Sequence, residues 1–303
     1  CSACLFFTHI LSAQVNIENL LAVPFSTDLK SSSDGKHIAW VFNDHGIRNL
    51  FTADAPDVTI HKLSNHTTDD GIDIGTVSFT PDGNKILFTE GNPNNGKGEA
   101  ANPALLQTKT DRTVWLINAN GENLKKLGNG DNAVASPNNN RIAFVSSGQI
   151  WSISLDSTKA AEKLIQTRGT LGDIRWSPDG NKIAFISNRS DHSFVGIYDM
   201  ITKTINYPDP SVDKDVEPVW SPDGKWIAYI RTPNTKDRLP FTEKRTGSPW
   251  SIRLLNVENG TSKEIRKAAS GQGSVLSGEL PVTDNRLLWG ADDNLVFPSD
   301  KDG

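Results

Sequence analysis

Residues 187–194 (Ser-Asn-Arg-Ser-Asp-His-Ser-Phe) carry the residue types best suited to holding a charged ligand. A guanidinium, a carboxylate and an imidazole follow one another closely, on Arg189, Asp191 and His192. Such groups can bind a peptide terminus or a charged side chain. Glu99, in a different loop, can pair with a free amine. The alternative is that residues 187–194 are a polar hairpin and that Glu99 is a solvated loop residue.

Motifs for the common catalytic chemistries are missing from the sequence. It contains no Gly-x-Ser-x-Gly string, so the strained turn that exposes a hydrolase serine is not predicted. The six histidines show neither His-x-His nor His-Glu-x-x-His spacing, and no glycine-rich phosphate loop is present. Asp69-Asp70 and Asp292-Asp293 are interpreted as solvated turns in preference to calcium ligands. The sequence therefore predicts no metal site and no cofactor.

The chain that must position these residues is built from repeats. Five strings share one pattern, in which Ser or Thr precedes Pro-Asp-Gly, or a variant of it, and a short apolar run follows. Self-similarity at a period of a few tens of residues determines the architecture before any local prediction is made. The five strings are residues 32–40, 79–88, 135–144, 176–185 and 220–229.

Each string predicts a hairpin. Pro presets φ at the second turn position, Asp bonds back to nearby backbone, and Gly takes the left-handed conformation. The run after the turn, such as Lys182–Ile186, is apolar and β-branched, as expected for a buried strand. An aromatic strand such as Thr113–Ile117 and a short exit strand follow, which gives four strands per repeat. The turn glycines, with Asn139 replacing one of them, recur at intervals of 41 to 56 residues, close to the blade period of a β-propeller.

We therefore predict an all-β fold, a β-propeller of four-stranded blades. About six blades are present in an incomplete ring, and we expect seven or eight in the whole protein. A β-sandwich is the alternative for a strand-rich chain, but it does not predict a repeated aromatic-Ser-Pro-Asp-Gly string. The eight Trp residues suit a propeller, in which large aromatic side chains fill the wedge between blades.

Length and charge limit the possible functions. A chain of 303 residues can bury a large core within one domain. The net charge of −5 and the pI of about 5.7 argue against a nucleic-acid-binding surface, which is normally basic. Both cysteines, Cys1 and Cys4, lie at the N-terminus, so no disulfide framework and no thiol-based site is expected elsewhere. No segment is long and apolar enough to predict a membrane span.

Residues 1–14 are interpreted as the remnant of a secretory signal, because an apolar run precedes the small residues Ser12 and Ala13. The alternative is an ordinary buried strand. Residues 15–303 then form the propeller domain, in the periplasm or outside the cell. The only Met is Met200 and the chain stops at an Asp-Gly turn signal, so we expect a fragment of a longer protein.

Two long connections interrupt the predicted blades. Residues 91–112 separate the second strand of a blade from the third, and residues 232–248 form a similar, more charged insertion. Long loops in compact domains are commonly functional. Residues 268–279 are predicted to be a small-residue linker, and a sixth unit is predicted near residues 280–289, with Asp284-Asn285 as its turn.

The repeats resemble those of TolB and of the propeller in the prolyl oligopeptidase family of serine peptidases. The connecting strings resemble the peptidases, in particular bacterial dipeptidyl-peptidase-like and acylaminoacyl-peptidase-like members. The resemblance covers residues 17–303, and its connecting strings are more specific for function than the blade repeat. These strings are residues 99–103, 187–198, 210–224 and 296–303.

The resemblance implies a C-terminal α/β-hydrolase domain that follows in the same chain and carries the catalytic Ser, Asp and His. In that family the propeller restricts entry to peptide substrates and often binds their N-terminus. The rim residues expected to contact the substrate are Glu99, Arg189, Asp191 and His192. No catalytic residue is predicted within the 303 residues, which should be inert by themselves.

Two other hypotheses stay open. A TolB-like propeller would be a non-enzymatic scaffold that binds proteins, and it would carry no hydrolase domain. A propeller lyase acting on acidic sugars would need clustered His ligands, which the sequence does not show. A Gly-x-Ser-x-Gly motif encoded beyond residue 303 would favour the peptidase over both.

Overall fold

The computed structural model describes residues 23–93, 101, 111–155, 159–234, 249–268, 287–290 and 293–297. Its regular elements in these residues are strands, as predicted for an all-β fold. Twenty of them form five four-stranded units, named blades 1 to 5 in chain order, and a two-stranded hairpin follows. Residues 1–14, predicted to be a signal remnant, lie outside the described residues.

The strands have the following bounds. Blade 1 contains β1 (Phe25–Ser31), β2 (His37–Asp44), β3 (Ile47–Asp54) and β4 (Thr59–Lys62). Blade 2 contains β5 (Ile74–Phe79), β6 (Lys85–Glu90), β7 (Thr113–Asn118) and β8 (Lys125–Asn129). Blade 3 contains β9 (Asp131–Ala135), β10 (Arg141–Ser146), β11 (Gln149–Ser154) and β12 (Glu162–Ile165). Blade 4 contains β13 (Thr170–Trp176), β14 (Lys182–Asn188), β15 (Ser193–Asp199) and β16 (Thr204–Asn206). Blade 5 contains β17 (Lys214–Trp220), β18 (Trp226–Thr232), β19 (Trp250–Asn256) and β20 (Ser262–Ala268), and the last hairpin contains β21 (Leu288–Trp289) and β22 (Leu295–Val296).

Each blade is an antiparallel meander whose strand order follows the chain, and a parallel bridge between Ser193 and Lys214 joins blades 4 and 5 into one eight-stranded sheet. The first strands of successive blades lie beside one another, from β1 through β5, β9, β13 and β17 to β21. This arrangement confirms the predicted β-propeller-like fold. Five four-stranded blades and one further hairpin are described, while the number of blades in the whole protein stays a prediction.

The predicted turns are real, and a buried hydroxyl organises each of them. In blade 4 the Ser177 hydroxyl donates to the Asp179 carboxylate at 2.6 Å and accepts the Lys182 N–H at 2.8 Å. The Asp179 carboxylate also accepts the Asn181 N–H at 3.0 Å, as expected for Asp in a turn. The Ser177 hydrogen bond holds the pKa of Asp179 below its ordinary value. The same hydroxyl bridge is made by Ser32, Thr80, Ser136 and Ser221.

The residue that closes each turn has a positive φ. It is 71° at Gly180 and 70° at Gly224, where a residue with a Cβ would be strained. Asn139 takes the place of glycine in blade 3 with a φ of 55°, which asparagine tolerates better than most residues. The imperfect copy at residues 135–144 is therefore a working turn.

Successive side chains of a second strand point alternately to the preceding blade and to the following blade. In blade 4, Ile183 and Phe185 pack backwards against blade 3, around Ala143. Ala184, between them, points the other way and packs against Tyr229 of blade 5. The aromatic ring of one blade thus packs against the middle residue of the preceding blade's second strand, which is Ala39, Ala143 or Ala184, and Leu87 in blade 2. The aromatic residues in this position are Phe88, Phe144, Phe185 and Tyr229.

The face of blade 1 that corresponds to this backward surface is more exposed. Ile38 is 39% exposed, whereas its counterpart Ile183 in blade 4 is 0% exposed. Trp40, which occupies the aromatic position, stacks on Phe51 of its own blade at a centroid distance of 5.8 Å. Among the described residues, no blade covers this side of blade 1.

Tryptophan at the end of a first strand adds a hydrogen bond between blades. The indole N–H of Trp176 donates to the carbonyl of Val134, and that of Trp220 donates to the carbonyl of Arg175, at 3.3 and 3.0 Å. The sequence indicated that these residues are apolar anchors, but the directed hydrogen bond to the preceding blade was not predicted.

Trp289 makes the same kind of indole hydrogen bond to the preceding blade in the sixth unit. Its indole N–H donates to the carbonyl of Val219 at 3.2 Å, which makes β21 a first strand. The hairpin that follows is closed by a hydrogen bond from the Gly290 N–H to the Asn294 carbonyl at 2.7 Å. The predicted turn at Asp284-Asn285 lies outside the described residues.

Replacing a turn hydroxyl should destabilise the protein. Ser177 is 2% exposed, so Ser177→Ala leaves the Lys182 N–H without its buried acceptor. We expect a loss of about 1–3 kcal/mol in the free energy of unfolding, measured by urea denaturation. Ser177→Thr is the matched control and should lose less, because Thr80 makes the same bridge in blade 2. Equal stability of the Ala variant and the wild type would show that the bridge is dispensable.

Candidate functional site

The antiparallel meanders sort the connections onto two faces of the molecule. The hairpin turns between first and second strands lie on one face. The links between second and third strands, and those between successive blades, lie on the other. The C-terminal ends of β6 and β18, after which the two long insertions were predicted, therefore lie on the same face as the polar string 187–194. We name this the connection face.

A cleft of about 980 Å³ opens on the connection face of blade 4. Arg189, Asp191 and His192 all line it, so the structure brings together three of the four residues predicted to bind substrate. The fourth, Glu99, lies outside the described residues. The cleft is lined by Arg168, Gly169, Thr170, Asn188, Arg189, Ser190, Asp191, His192 and Phe194.

A tight hairpin between β14 and β15 presents the predicted residues. The Arg189 N–H donates to the His192 carbonyl at 2.8 Å, which closes the turn. The Asn188 side chain caps it by accepting the Ser190 N–H at 3.0 Å. Ser190 itself has a φ of 74°. Because the backbone is held in this way, the side chains of positions 189, 191 and 192 are directed by a short, rigid loop.

Asp191 and His192 form a hydrogen-bonded pair at the mouth of the cleft. The His192 Nδ1 lies 2.7 Å from the Asp191 Oδ1, and this contact keeps the pKa of Asp191 below its ordinary value. The Asp191 side chain is 71% exposed and that of His192 is 30% exposed. With Nδ1 turned to the carboxylate, Nε2 is the ring nitrogen left to meet a ligand.

Arg189 is held against an aromatic wall. Its guanidinium carbon lies 5.4 Å from the centroid of the Phe194 ring, a cation–π distance. Phe194 is supported by an edge-on contact with Tyr207, with a centroid distance of 5.0 Å. The Nε of Arg189 is buried and has no hydrogen-bond partner in the described part of the chain. This arginine is therefore oriented by packing and not by an ion pair.

The opposite wall of the cleft, at Arg168 and Gly169, was missed by the sequence analysis. Gly169 has a φ of 84°, and a Cβ there would lie 2.1 Å from the carbonyl oxygen of Asn188. The side-chain amide of Gln149 donates to the Gly169 carbonyl at 2.9 Å and accepts the Thr167 N–H at 2.8 Å. The sequence signal that could have indicated this wall is the Arg-Gly dipeptide between the last strand of blade 3 and the first strand of blade 4.

Blade 5 supports the cleft from behind. The hydroxyl of Ser193, at the start of β15, donates to the Asp215 carbonyl at 2.7 Å. The Asp215 side chain accepts two hydrogen bonds from Arg231, from Nε at 2.6 Å and from Nη2 at 2.9 Å. Burial raises the pKa of Asp215 to about 6, and the Arg231 hydrogen bonds oppose that shift. The buried pair holds β17 to β18 within blade 5, and the Ser193 hydrogen bond holds β17 beside the hairpin that carries the cleft.

Metal binding and membrane insertion are two further possible roles of the described residues. In the described ranges, no three or more His, Cys, Asp or Glu side chains are grouped so as to hold a metal ion. Within the same residues, no helical segment could span a lipid bilayer.

Comparison with known proteins shows the fold. No protein-family model and no curated protein sequence matches the chain. Among solved structures, an oligogalacturonate lyase in complex with manganese is 16% identical, with a TM-score of 0.61, covering 91% of this chain and 73% of that one. TolB from Acinetobacter baumannii is 18% identical, with a TM-score of 0.50, covering 82% of this chain and 55% of that one.

Peptidases are also among the similar structures. A candidate dipeptidyl aminopeptidase IV from Bacteroides ovatus is 10% identical, with a TM-score of 0.57 and 86% of this chain covered. The match spans only 41% of the length of that chain. At these identities the likeness shows a propeller-like fold, shared by TolB and by peptidases, and no specific activity.

Gly169 offers a direct test of the cleft geometry. Gly169→Ala places a methyl group against the Asn188 carbonyl in a backbone conformation that disfavours side chains, so we expect a loss of about 1–3 kcal/mol in unfolding free energy. Gly172→Ala is the matched control, because a Cβ there meets no atom within 4 Å. Urea denaturation of both variants measures the difference. Equal effects of the two substitutions would contradict the packing described here.

Asp215 tests the support behind the cleft. Asp215→Ala removes the carboxylate that accepts from Arg231 Nε and Nη2 and leaves Asp209, 3.3 Å from Nη2, as the remaining acidic partner, so we expect a cost of about 3 kcal/mol in unfolding free energy. Glu258→Ala, at an exposed turn, is the control and should change stability little. The double variant Asp215→Leu/Arg231→Met should recover much of the loss, since no charge then remains unpaired. A wild-type midpoint for Asp215→Ala would refute the role assigned to the pair.

Proposed function

We propose that the chain is the substrate-gating propeller of a secreted or periplasmic serine peptidase that cleaves peptides of dipeptidyl or acylaminoacyl type. The observation that carries this proposal is the blade 4 cleft, in which Arg189, Asp191 and His192 converge on the connection face. The resemblance of the connecting strings to bacterial peptidases supports it, and residues 1–14 support export from the cytoplasm. Glu99 stays a proposed contact for the substrate amine.

The cleft has side chains that can bind a peptide. It offers a cation on Arg189, an imidazole nitrogen on His192 and an apolar ring on Phe194. Its volume of about 980 Å³ lies at the upper end of the range of small-molecule pockets. A short extended segment can therefore enter it with its terminal groups still in contact with the walls.

The groups in and around the cleft favour binding over bond cleavage. The Ser193 hydroxyl, next to His192, is buried and donates to the Asp215 carbonyl, so it is not available as a nucleophile. Acyl transfer to an activated serine would take place on the α/β-hydrolase domain that we propose to follow in the same chain. Contacts made far from the scissile bond by the propeller would supply binding energy that orients the peptide there.

A TolB-like scaffold is the second candidate function, and the similarity to TolB from Acinetobacter baumannii favours it. In that case the same cleft would bind a segment of a partner protein, and no peptide would be hydrolysed. The two candidates differ in what the reading frame encodes after residue 303.

The test is to express the complete reading frame and to label it with a fluorophosphonate, which reacts with activated serines. We expect labelling and hydrolysis of a dipeptidyl or acyl-amino-acid reporter, and neither for the 303-residue chain alone. In the complete protein, Arg189→Ala should raise KM more than it lowers kcat, because the cleft contributes to binding. Arg266→Ala, on an exposed strand of blade 5, is the control.

Two outcomes would overturn this proposal. A reading frame that ends soon after residue 303, or a complete protein that does not react with the fluorophosphonate, would leave the TolB-like scaffold as the better interpretation. Reporter hydrolysis by the 303-residue chain, abolished by the reagent, would show that the catalytic serine lies within it.

A further inference from the structure

We propose that the blade 4 cleft is a carboxylate-binding subsite, in which Arg168 and Arg189 together bind one carboxylate of a peptide. The inference deepens the proposed function and rests on it only in taking a peptide as the ligand. Arg168 was not among the predicted site residues, and it comes from the connection between blades 3 and 4.

The charges that line the cleft leave a positive surplus. Arg168 and Arg189 contribute two guanidinium groups, whereas Asp191 is the only carboxylate among the described residues of the lining. That carboxylate is engaged by His192 at 2.7 Å. In the described ranges, neither arginine lies within ion-pair distance of an acidic side chain, so their charge is available to an anionic ligand.

Arg189 is pre-organised for such a ligand. Its guanidinium lies over the Phe194 ring at 5.4 Å. Its Cδ lies beside Gly169, 3.1 Å from the position that a Cβ would occupy there. These contacts restrict the side chain before any ligand arrives, so little rotamer entropy is lost on binding. Because the Nε is buried, an incoming carboxylate would be bound by the two terminal amino groups of the guanidinium.

Gly169 brings the second arginine to the same place. Because residue 169 has no side chain, the Arg168–Thr170 segment lies directly against Asn188 and Arg189. Gln149 of blade 3 holds this segment through the Gly169 carbonyl and the Thr167 N–H. Two guanidinium groups from different blades thus border one cleft, which suits a planar, bidentate anion such as a carboxylate.

The surroundings favour a peptide over an acidic sugar. Beside the arginines lie the Phe194 ring and, at a centroid distance of 5.7 Å from it, the His192 imidazole. These rings suit the apolar side chain of the residue that carries the carboxylate, whereas the hydroxyl groups of a uronic acid would find no hydrogen-bond partner on the Phe194 face. The carboxylate can belong to a C-terminus or to an Asp or Glu side chain, and the test separates the two.

The test is calorimetric titration of the 303-residue chain with four probes. They are acetyl-Ala-Ala-Leu with a free C-terminus, the same peptide as its C-terminal amide, acetyl-Ala-Glu-Leu-amide, and trigalacturonate. We expect the free acid or the Glu peptide to bind at least about tenfold more tightly than acetyl-Ala-Ala-Leu-amide, the size of one charge-assisted hydrogen bond. Whichever carboxylate binds more tightly identifies the source.

Variants test the two arginines. Arg189→Met and Arg168→Met should each weaken binding of the preferred acid at least about tenfold and change amide binding less than about twofold. Arg266→Met removes the same charge from an exposed strand elsewhere and should change neither. Arg168 is itself exposed, so its variant tests the proposal even where Arg189→Met unfolds the chain, which circular dichroism would show.

Three results would overturn the inference: no tighter binding of either carboxylate peptide than of acetyl-Ala-Ala-Leu-amide, unchanged binding of the preferred acid in Arg168→Met, or tightest binding of trigalacturonate. Equal binding of the amide and both carboxylate peptides would still leave a peptide-binding cleft, so the proposed function would survive that result. Conversely, a complete protein without a reactive serine would contradict the peptidase proposal. The carboxylate subsite would not be affected by that result, since the titrations do not depend on hydrolysis.

Discussion

The fold depends on one small interaction, the hydroxyl bridge inside the Pro-Asp-Gly turns. In blade 5 the Ser221 hydroxyl donates to Asp223 at 2.6 Å and accepts the Trp226 N–H at 2.9 Å. The bridge therefore ties the end of the first strand to the start of the second and sets how the two strands pair. Strand register decides which face each side chain occupies, since a slip of one residue would reverse every side chain. Five turns built in this way give five blades the same register.

That register explains how the blades stack and why the cleft forms where it does. In the string Ile183-Ala184-Phe185 the bulky side chains point to blade 3 and the alanine points to blade 5. A similar alternation in the other blades keeps the first strands of neighbouring blades adjacent. The connection between blades 3 and 4 must then pass close to the β14–β15 hairpin. Gly169 permits the contact that brings Arg168 beside Arg189.

Much of this could be predicted from the sequence, because the repeated information is local. The period, the turn residues and the four strands of each repeat follow from chemistry within about ten residues. Arg189, Asp191 and His192 could be predicted to lie together because they share one short hairpin. Arg168 and the Ser193–Asp215 contact join separate blades, so no local pattern marks them.

Two arginines of neighbouring blades show how the same residue type can serve structure or binding. Arg231 is 9% exposed and fully committed, with Asp215 accepting from both Nε and Nη2. A buried guanidinium without that carboxylate would cost several kcal/mol, so the blade must supply the partner itself. Arg189 lies at the mouth of an open cleft, where water can solvate part of its charge while the ligand is absent. Its lack of an acidic partner among the described residues is therefore tolerable for stability, and it is what a site for an incoming carboxylate requires.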